Sequence, residues 1–391
     1  MKKHLLSLFA MACMVFASSC TSEEIVSQST GNEVKVTFTT HVRNDVKSRA
    51  VGDDTDGIDK LVFAVYDENK VLLEELTQTL DESDLKDAGA GKKKAEINVV
   101  LVKGQTYSFA FWAQDKDYSA YTFDPATKKV TINYNKTANN KNADAFFAND
   151  KFTVTGSFKK DITLKRPFAQ VNFLTTEYDL NKAKAAGFEP SQSSIIVKNA
   201  ATSLDILTGE VEGDVVAEFA LANLLSDEST TIKNASNQFI SWSGTQFMTT
   251  DNESNACGFK YLATAYFLPT AATTTSTITT SMMAKSSVDS KAPIELTVSD
   301  INAQRNYRTN IYGNLLTNNG QFNVTIDPGF DGDYSEESED PETIVVATVA
   351  EANALFEGGK TNVTIQEAPT TTERIILPQT TNNITINFDF E

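Results

Sequence analysis

The sequence contains few of the residues that most enzymes and metal sites require. Its 391 residues include two His and three Cys. His4 lies in an N-terminal segment that we expect to be removed, which leaves His41 as the one imidazole of the mature chain. The chain therefore has almost no residues that could serve in histidine-dependent catalysis or in a His/Cys zinc site. We predict a protein that is not an enzyme and has no metal or cofactor.

Basic residues are also scarce. The chain has 34 Lys and Arg against 52 Asp and Glu, which gives a formal net charge of −18. Because nucleic-acid backbones are bound by clustered Lys and Arg, we predict no nucleic-acid partner. The hydrophobic content of 40% is too high for a disordered chain and is enough for two or three globular cores.

The first twenty residues are typical of an export signal. Lys2 and Lys3 precede an apolar stretch, 5–16, that is too short to span a bilayer, and small residues lead to Cys20. Residues 1–19 resemble a bacterial lipoprotein signal peptide, in which Cys20 becomes the lipidated, palmitate-bearing first residue of the mature chain. The alternative is a plain secretory signal. No later run of 18 apolar residues follows.

A polar tether, 20–32, follows the signal. Its first residues, Thr-Ser-Glu-Glu at 21–24, resemble the acidic tag that exports lipoproteins of Bacteroidota onto the outer face of the outer membrane. The alternative is an ordinary solvated tether. With Cys20 acylated, Cys257 is the only remaining thiol, so no intramolecular disulfide is expected.

Residues 33–178 have the pattern of a β-sandwich. Val34, Val36 and Phe38 alternate with polar neighbours, which is the period-two signature of a strand with one buried face. Further strands are predicted at 61–66, 97–102, 107–112 and 130–134. Many short strands with few helical periods favour a sandwich.

Residues 179–328 are predicted to form a second sandwich. A short helix, capped by Asp179 and ended by Gly187, opens it. Strands are predicted at 194–198, 203–207, 218–221, 261–268, 276–281 and 294–298. The predicted fold class is therefore all-β, with two antiparallel β-sandwich domains.

Two segments carry a family resemblance. Residues 164–173 read Leu-Lys-Arg-Pro-Phe-Ala-Gln-Val-Asn-Phe, and residues 305–317 read Arg-Asn-Tyr-Arg-Thr-Asn-Ile-Tyr-Gly-Asn-Leu-Leu-Thr. With the lipoprotein start and the strand at 34–40, they resemble the fimbrillin-like surface lipoproteins of Bacteroidota over residues 20–328. The resemblance implies two transthyretin-like β-sandwiches that serve as a fimbrial subunit or an accessory adhesin.

Arginine and tryptophan side chains are the candidate ligand contacts. Arg166, Arg305 and Arg308 are each suited to bind an anionic sugar or a partner's carboxylate, or to pair with an internal carboxylate. We predict that Trp112, in an apolar run, is a core residue. Trp242 lies in Ser-rich surroundings and fits a core role and sugar stacking equally. The candidate ligand contacts are therefore Trp242, Arg305 and Arg308.

The loop after the first strand is a candidate processing site. It is polar, contains Gly52 and carries Arg49. In fimbrillins, Arg-specific cleavage in the matching loop removes the first strand, and the open groove accepts a strand from the next subunit. The resemblance implies cleavage between Arg49 and Ala50, which would expose a hydrogen-bonding edge. The alternative is that Arg49 is a solvated loop charge. His41, which we place just past the first strand, is interpreted as a surface residue.

The chain ends in an acidic linker, 329–342, and a strand–helix–strand extension, 343–391. Asp327, Asp331 and Asp333 have oxygens suited to Ca²⁺, but the EF-hand pattern is absent and a solvated linker is favoured. The extension contains a strand at 344–348, a helix through Phe356 and apolar runs at 363–365, 375–377 and 384–388. These features resemble the start of a right-handed parallel β-helix.

We predict a lipid-anchored protein of the outer membrane and cell surface that acts as a fimbrial subunit or accessory adhesin, with protease-triggered strand exchange as the implied assembly mechanism. Its predicted partners are the outer membrane, through the lipid on Cys20, and other fimbrial subunits or host and glycan ligands. The alternatives are a surface glycan-binding lipoprotein and a shortened relative of a β-helix polysaccharide-processing protein.

Overall fold

The structure is a computed structural model. It describes residues 32–42, 58–87, 93–225, 229–234, 236–244, 246–271, 274–317 and 322–327, and the backbone of 344–346, 362–365 and 385–388. Several predictions fall outside the described residues: lipidation of Cys20, cleavage between Arg49 and Ala50, the helix through Phe356 and the run at 375–377.

The first half of the described chain consists of short strands. In chain order they are β1 (Glu33–Val42), β2 (Lys60–Tyr66), β3 (Gln78–Leu80), β4 (Lys86–Asp87), β5 (Lys93–Val102), β6 (Thr106–Gln114), β7 (Tyr121–Asp124), β8 (Lys129–Ile132), β9 (Lys136–Thr137), β10 (Ala145–Thr153) and β11 (Phe158–Leu164). Sheet A has the order β11-β1-β5-β4, and sheet B has the order β10-β6-β2-β3. Alternate residues such as Phe38, Phe63 and Ile97 point between these sheets and form the core of the first sandwich.

The second half begins with β12 (Ala169–Thr176) and α1 (Glu177–Ala185). The remaining strands are β13 (Pro190–Ala200), β14 (Ser203–Asp205), β15 (Val211–Glu212), β16 (Val215–Asn223), β17 (Ser229–Thr230), β18 (Phe239–Trp242), β19 (Phe247–Thr250), β20 (Phe259–Phe267), β21 (Ser276–Ser286), β22 (Ile294–Ala303), β23 (Arg308–Gly313) and β24 (Phe322–Asp327). Sheet C has the order β22-β21-β13-β16-β9, and sheet D has the order β17-β20-β12-β23-β24. Val171, Ile195 and Ile311 belong to the core of this second sandwich.

A bridging sheet of order β15-β14-β8-β7 joins the two halves of the chain. In it Leu204 of β14 is the register partner of Val130 of β8. The Tyr66 hydroxyl donates to the carbonyl of Pro125 at 2.9 Å, which ties sheet B to the same region. The two sandwiches therefore share hydrogen-bonded structure.

The two-sandwich architecture is confirmed, with one correction of detail. The chain passes from sheet A to sheet D between Leu164 and Ala169, and the domain bounds 33–178 and 179–328 stay a prediction. Both strands that flank this crossing have strand periodicity, so the local pattern does not show the change of sheet. The correction is that the pairing is not wholly antiparallel, since β1 with β11, β12 with β23, and β9 with β16 are parallel pairs.

The end signals of α1 were partly predicted. The Thr176 side chain accepts a hydrogen bond from the Asp179 backbone N–H at 3.1 Å, so Thr176, not Asp179, is the N-cap. Gly187 has φ +79° directly after the C-cap Ala186, which confirms its predicted role in ending the helix. No helix among the described residues is long and apolar enough to cross a bilayer.

The C-terminal parallel sheet consists of β25 (Ile344–Val346), β26 (Asn362–Ile365) and β27 (Thr385–Phe388). Its strands pair in parallel and in chain order. This backbone arrangement is the one predicted for the first rungs of a parallel β-helix. Cα atoms of β25 and β11 approach within 8 Å, so the sheet lies beside the first sandwich.

Candidate functional site: the β1 groove

β1 is held on both sides by other strands of sheet A. It pairs antiparallel with β5, from Glu33 opposite Val102 to Val42 opposite Lys93. On its other side it pairs in parallel with β11, from Val36 opposite Phe158 onward. Removing β1 would leave a groove, which we call the β1 groove, with unpaired backbone groups on two facing strands.

The inward face of β1 fills part of the first core. Val36 and Phe38 have no exposed side-chain surface, and Val42 is also buried. The Phe38 ring centroid lies 4.9 Å from that of Phe109 and 5.4 Å from that of Phe63. The side of the β1 groove that faces the core is therefore apolar. A strand that fills the groove needs apolar side chains at alternate positions.

The outward face of β1 is polar. Thr37 Oγ1 donates to Asn98 Oδ1 of β5 at 2.7 Å. His41 Nε2 lies 3.5 Å from Asp161 Oδ1 of β11, and both side chains are substantially exposed. His41 belongs to β1 itself, which corrects its predicted place just past the strand.

A backbone hydrogen bond fixes the start of β1. The Asn32 carbonyl at its start accepts from the Lys103 N–H at 2.7 Å. The next described strand, β2, belongs to sheet B. Arg49 and Ala50 belong to the connection between β1 and β2, outside the described residues.

Arg166 is a structural residue. Its Nε donates to Asp144 Oδ2 at 2.6 Å, with 1% and 5% of the two side chains exposed. Its guanidinium carbon lies 4.6 Å from the ring centroid of Phe146. The internal-carboxylate interpretation is therefore confirmed for Arg166.

Arg308 is also enclosed by the fold. It is buried on β23, directly opposite the buried Asp327 of β24 in the strand register. Asp327, considered as a Ca²⁺ ligand from the sequence, is therefore placed in a sheet across from an arginine.

Arg305 differs from the other two arginines. Its Nη1 donates to the carbonyl of Gly209 at 2.8 Å. Its Nε and Nη2 are buried and have no hydrogen-bond acceptor among the residues that the structure describes. Burial lowers the pKa of Arg305 to about 10. Among the predicted ligand contacts, this side chain has hydrogen-bonding capacity left over.

The two tryptophans have different environments. Trp112 is fully buried and its Nε1 donates to Gln114 Oε1 at 2.7 Å, which confirms the core prediction. Trp242 is half-buried in the β18–β19 hairpin, with its ring centroid 4.5 Å from that of Phe247. Phe247 packs against a small cluster outside the main cores, and Trp242 is attached to that cluster through Phe247 while staying partly exposed.

The motif at 305–317 holds the second sandwich together. Asn172 Nδ2 donates to Asn310 Oδ1 at 2.8 Å across the parallel β12–β23 pair. The Asp179 carboxylate accepts from the backbone N–H groups of Leu316 at 2.8 Å and Thr317 at 3.1 Å. These contacts attach the end of β23 to the start of α1, which gives the motif a structural role.

One group of three carboxylates within the described part of the chain was not singled out from the sequence. Oxygens of Asp59, Asp115 and Asp117 lie within 4.8 Å of one another. The Lys116 ammonium contacts both Asp59 and Asp117, and these hydrogen bonds raise the pKa of Lys116. The group is thus a lysine-centred ion-pair cluster. The pairing of residue 59 with 115–117 depends on the β2–β6 register, which no local pattern reports.

The described residues thus form an all-β fold of two joined sandwiches in which β1 lies between β5 and β11. The chain belongs to the protein family described as a family of unknown function, DUF6562, whose model matches residues 27–386. No curated protein matches the sequence.

Several solved structures are similar to this chain. One is a fimbrial assembly protein from Parabacteroides distasonis, with 10% identity, a TM-score of 0.38 and coverage of 77% of this chain and 97% of that chain. A second, from Bacteroides thetaiotaomicron, is provisionally named as polysaccharide-binding, with 11% identity, a TM-score of 0.39 and coverage of 71% and 91%. A third, provisionally named as an adhesin, is from the same organism, with 10% identity, a TM-score of 0.37 and coverage of 76% and 96%.

Proposed function

We propose that this protein is a lipid-anchored cell-surface fimbrial subunit or accessory adhesin that assembles by exchange of β1. The observation that carries the proposal is the position of β1 between β5 and β11. A strand in that position is replaceable by a strand of another chain without loss of either ladder, provided that the incoming strand has apolar residues at alternate positions.

The sequence order supports the same proposal. Cys20 is joined to β1 by the tether at 20–32, so the lipid is attached to the strand that would be exchanged. Cleavage between Arg49 and Ala50 would leave β1 attached to the lipid and held in the rest of the protein only by non-covalent contacts. Release from the membrane and opening of the β1 groove would then be one event.

The test is brief digestion of residues 21–391 with an Arg-specific protease, followed by mass spectrometry and native gel electrophoresis. We expect a cut after Arg49, loss of the β1 fragment and a ladder of oligomers. The double variant Arg43→Gln with Arg49→Gln should remain uncut in this connection and monomeric, whereas the control Arg374→Gln should behave like the wild type. Cleavage after Arg49 without any assembly would overturn strand exchange.

A second candidate function is binding of a carboxylate-bearing glycan, and Arg305 favours it. With Nη1 fixed on Gly209, the Nε and Nη2 edge remains, and this edge is the one that binds a carboxylate through two parallel hydrogen bonds. Since both nitrogens are shielded from solvent, the ligand must displace the atoms that cover them.

The glycan proposal is tested by retention on an immobilised uronic-acid polysaccharide. We expect the wild type to be retarded and Arg305→Gln to elute without delay. Lys198→Gln, which removes an exposed positive charge from β13, is the matched control and should bind like the wild type. Equal retention of all three proteins would refute a role for Arg305.

A further inference from the structure

β11 is the terminal strand of sheet A. Among the described strands, its one partner in that sheet is β1. Just past the end of β11, Lys165 forms an antiparallel bridge with Phe147 of β10 in sheet B. Along β11, Phe158, Ile162 and Leu164 are buried while alternate residues are exposed. A seven-residue strand with this alternation is long enough to template pairing with another chain.

β25 lies next to this terminal strand. Cα atoms of β25 and β11 come within 8 Å, and β11 is the strand of sheet A against which β25 is placed. β25 in turn pairs in parallel with β26, and β26 with β27. The C-terminal parallel sheet is therefore positioned at the side of sheet A that carries β11.

The C-terminal parallel sheet follows the second sandwich in the sequence, yet it lies beside the first sandwich. The chain leaves the second sandwich at Asp327, the end of β24 in sheet D, and by Ile344 it is beside the first sandwich. The family match extends to residue 386, so it includes the sandwiches, β25, β26 and the first two residues of β27.

We propose that the C-terminal parallel sheet guards the β11 edge and prevents it from pairing with a second copy of this chain. Proteins commonly protect such edges by covering them with another element. With the β11 edge covered, this side of sheet A accepts a foreign strand only at the position of β1, and the opposite edge of the sheet is formed by β4 and β5. The guard function does not depend on cleavage after Arg49 or on β1 exchange.

The test releases the C-terminal segment after folding. A recognition sequence for a site-specific protease is placed in the linker 329–342 of the full chain, and the folded protein is cut and passed over a sizing column. Hydrogen exchange at residues 158–164 and light scattering are then measured. We expect exchange in β11 to become at least about tenfold faster, with no change in β6, and we expect a concentration-dependent dimer.

Two variants complete the design. In the cut protein, Thr163→Lys places a charge on the exposed face of β11 and should suppress the dimer. In the uncut chain, Ile344→Lys with Val346→Lys places charges in β25 and should reproduce the faster β11 exchange without any truncation. Unchanged β11 exchange after the cut, or faster exchange in a protein that stays monomeric at high concentration, overturns the proposal. Failure of β1 exchange alone leaves these outcomes unaffected.

Discussion

Phe38 provides a quantitative test of how firmly β1 is held. Its side chain has no exposed surface, and its ring contacts those of Phe63, Phe109, Phe111 and Phe152, with centroid distances from 4.9 to 6.1 Å. Replacement by Ala leaves a cavity in the middle of the first core. Such replacements cost about 3–5 kcal/mol when the surroundings cannot collapse.

We expect Phe38→Ala to lower the free energy of unfolding by about 4 kcal/mol, since the four neighbouring rings belong to strands fixed by their own ladders. A loss of this size is a large fraction of the total stability of a typical domain, which is about 5–15 kcal/mol. If β1 opens by itself, its amides should exchange about a thousandfold faster, because each 1.4 kcal/mol is a factor of ten.

The assay is urea unfolding followed by fluorescence of the buried Trp112, together with hydrogen exchange of β1 peptides. Lys35→Ala, an exposed position on the same strand, is the control and should change stability by less than about 0.5 kcal/mol. A loss below about 1.5 kcal/mol for Phe38→Ala would refute the claim that β1 is an integral part of the core. Equal effects of both variants would point to a general loss of strand propensity instead.

Three further predictions concern Arg166, Asp179 and Cys257. Arg166→Gln should destabilise the chain by about 3–5 kcal/mol in urea unfolding, because it leaves the Asp144 carboxylate buried without its partner, and adding Asp144→Asn should recover part of the loss. Asp179→Ala should cost about 2–3 kcal/mol, measured in the same way, because the Leu316 N–H and its neighbour lose their acceptor. Cys257 should react with iodoacetamide about a hundredfold more slowly than free cysteine at pH 8, because burial raises the pKa of its thiol to about 11 and lowers the thiolate fraction.

Each of these predictions has a contradicting result. A neutral Arg166→Gln would mean that the Asp144 ion pair contributes little. Wild-type stability of Asp179→Ala would mean that water replaces the carboxylate at no cost. Cys257 should also react faster as the pH rises from 8 to 11, since deprotonation of a group with a raised pKa is completed only at high pH. A rate that levels off near pH 9 would contradict the raised pKa.

The local sequence pattern was sufficient to predict many individual elements of secondary structure. β2 was predicted over 61–66 and spans Lys60–Tyr66, because its apolar run is bounded by turn residues. The core position of Trp112 and the helix-ending role of Gly187 were also predictable, since both follow from short-range sequence signals. The N-cap of α1 was missed because Thr176 and Asp179 are both good capping residues and only the backbone geometry separates them.

The roles of the three arginines were not predictable in the same way. All three stand beside apolar or aromatic neighbours in the sequence, yet Arg166 meets Asp144, Arg308 faces Asp327, and Arg305 is left with two donors unmatched. The partner of a buried charge is determined by strand register and by the packing of distant segments. Twenty-two or more residues separate some of these partners, and no spacing rule covers such distances.

The sequence by itself determined the strand-rich composition, the period-two faces and the scarcity of imidazole and thiol groups. These are local properties, because successive side chains of a strand point to opposite faces of the sheet whichever strand pairs with it. Only the tertiary structure decided that β1 lies between β5 and a parallel β11, so that Phe38 stands opposite Lys160. That pairing is set by the fit of two sheets around one core, and the functional proposal rests on it.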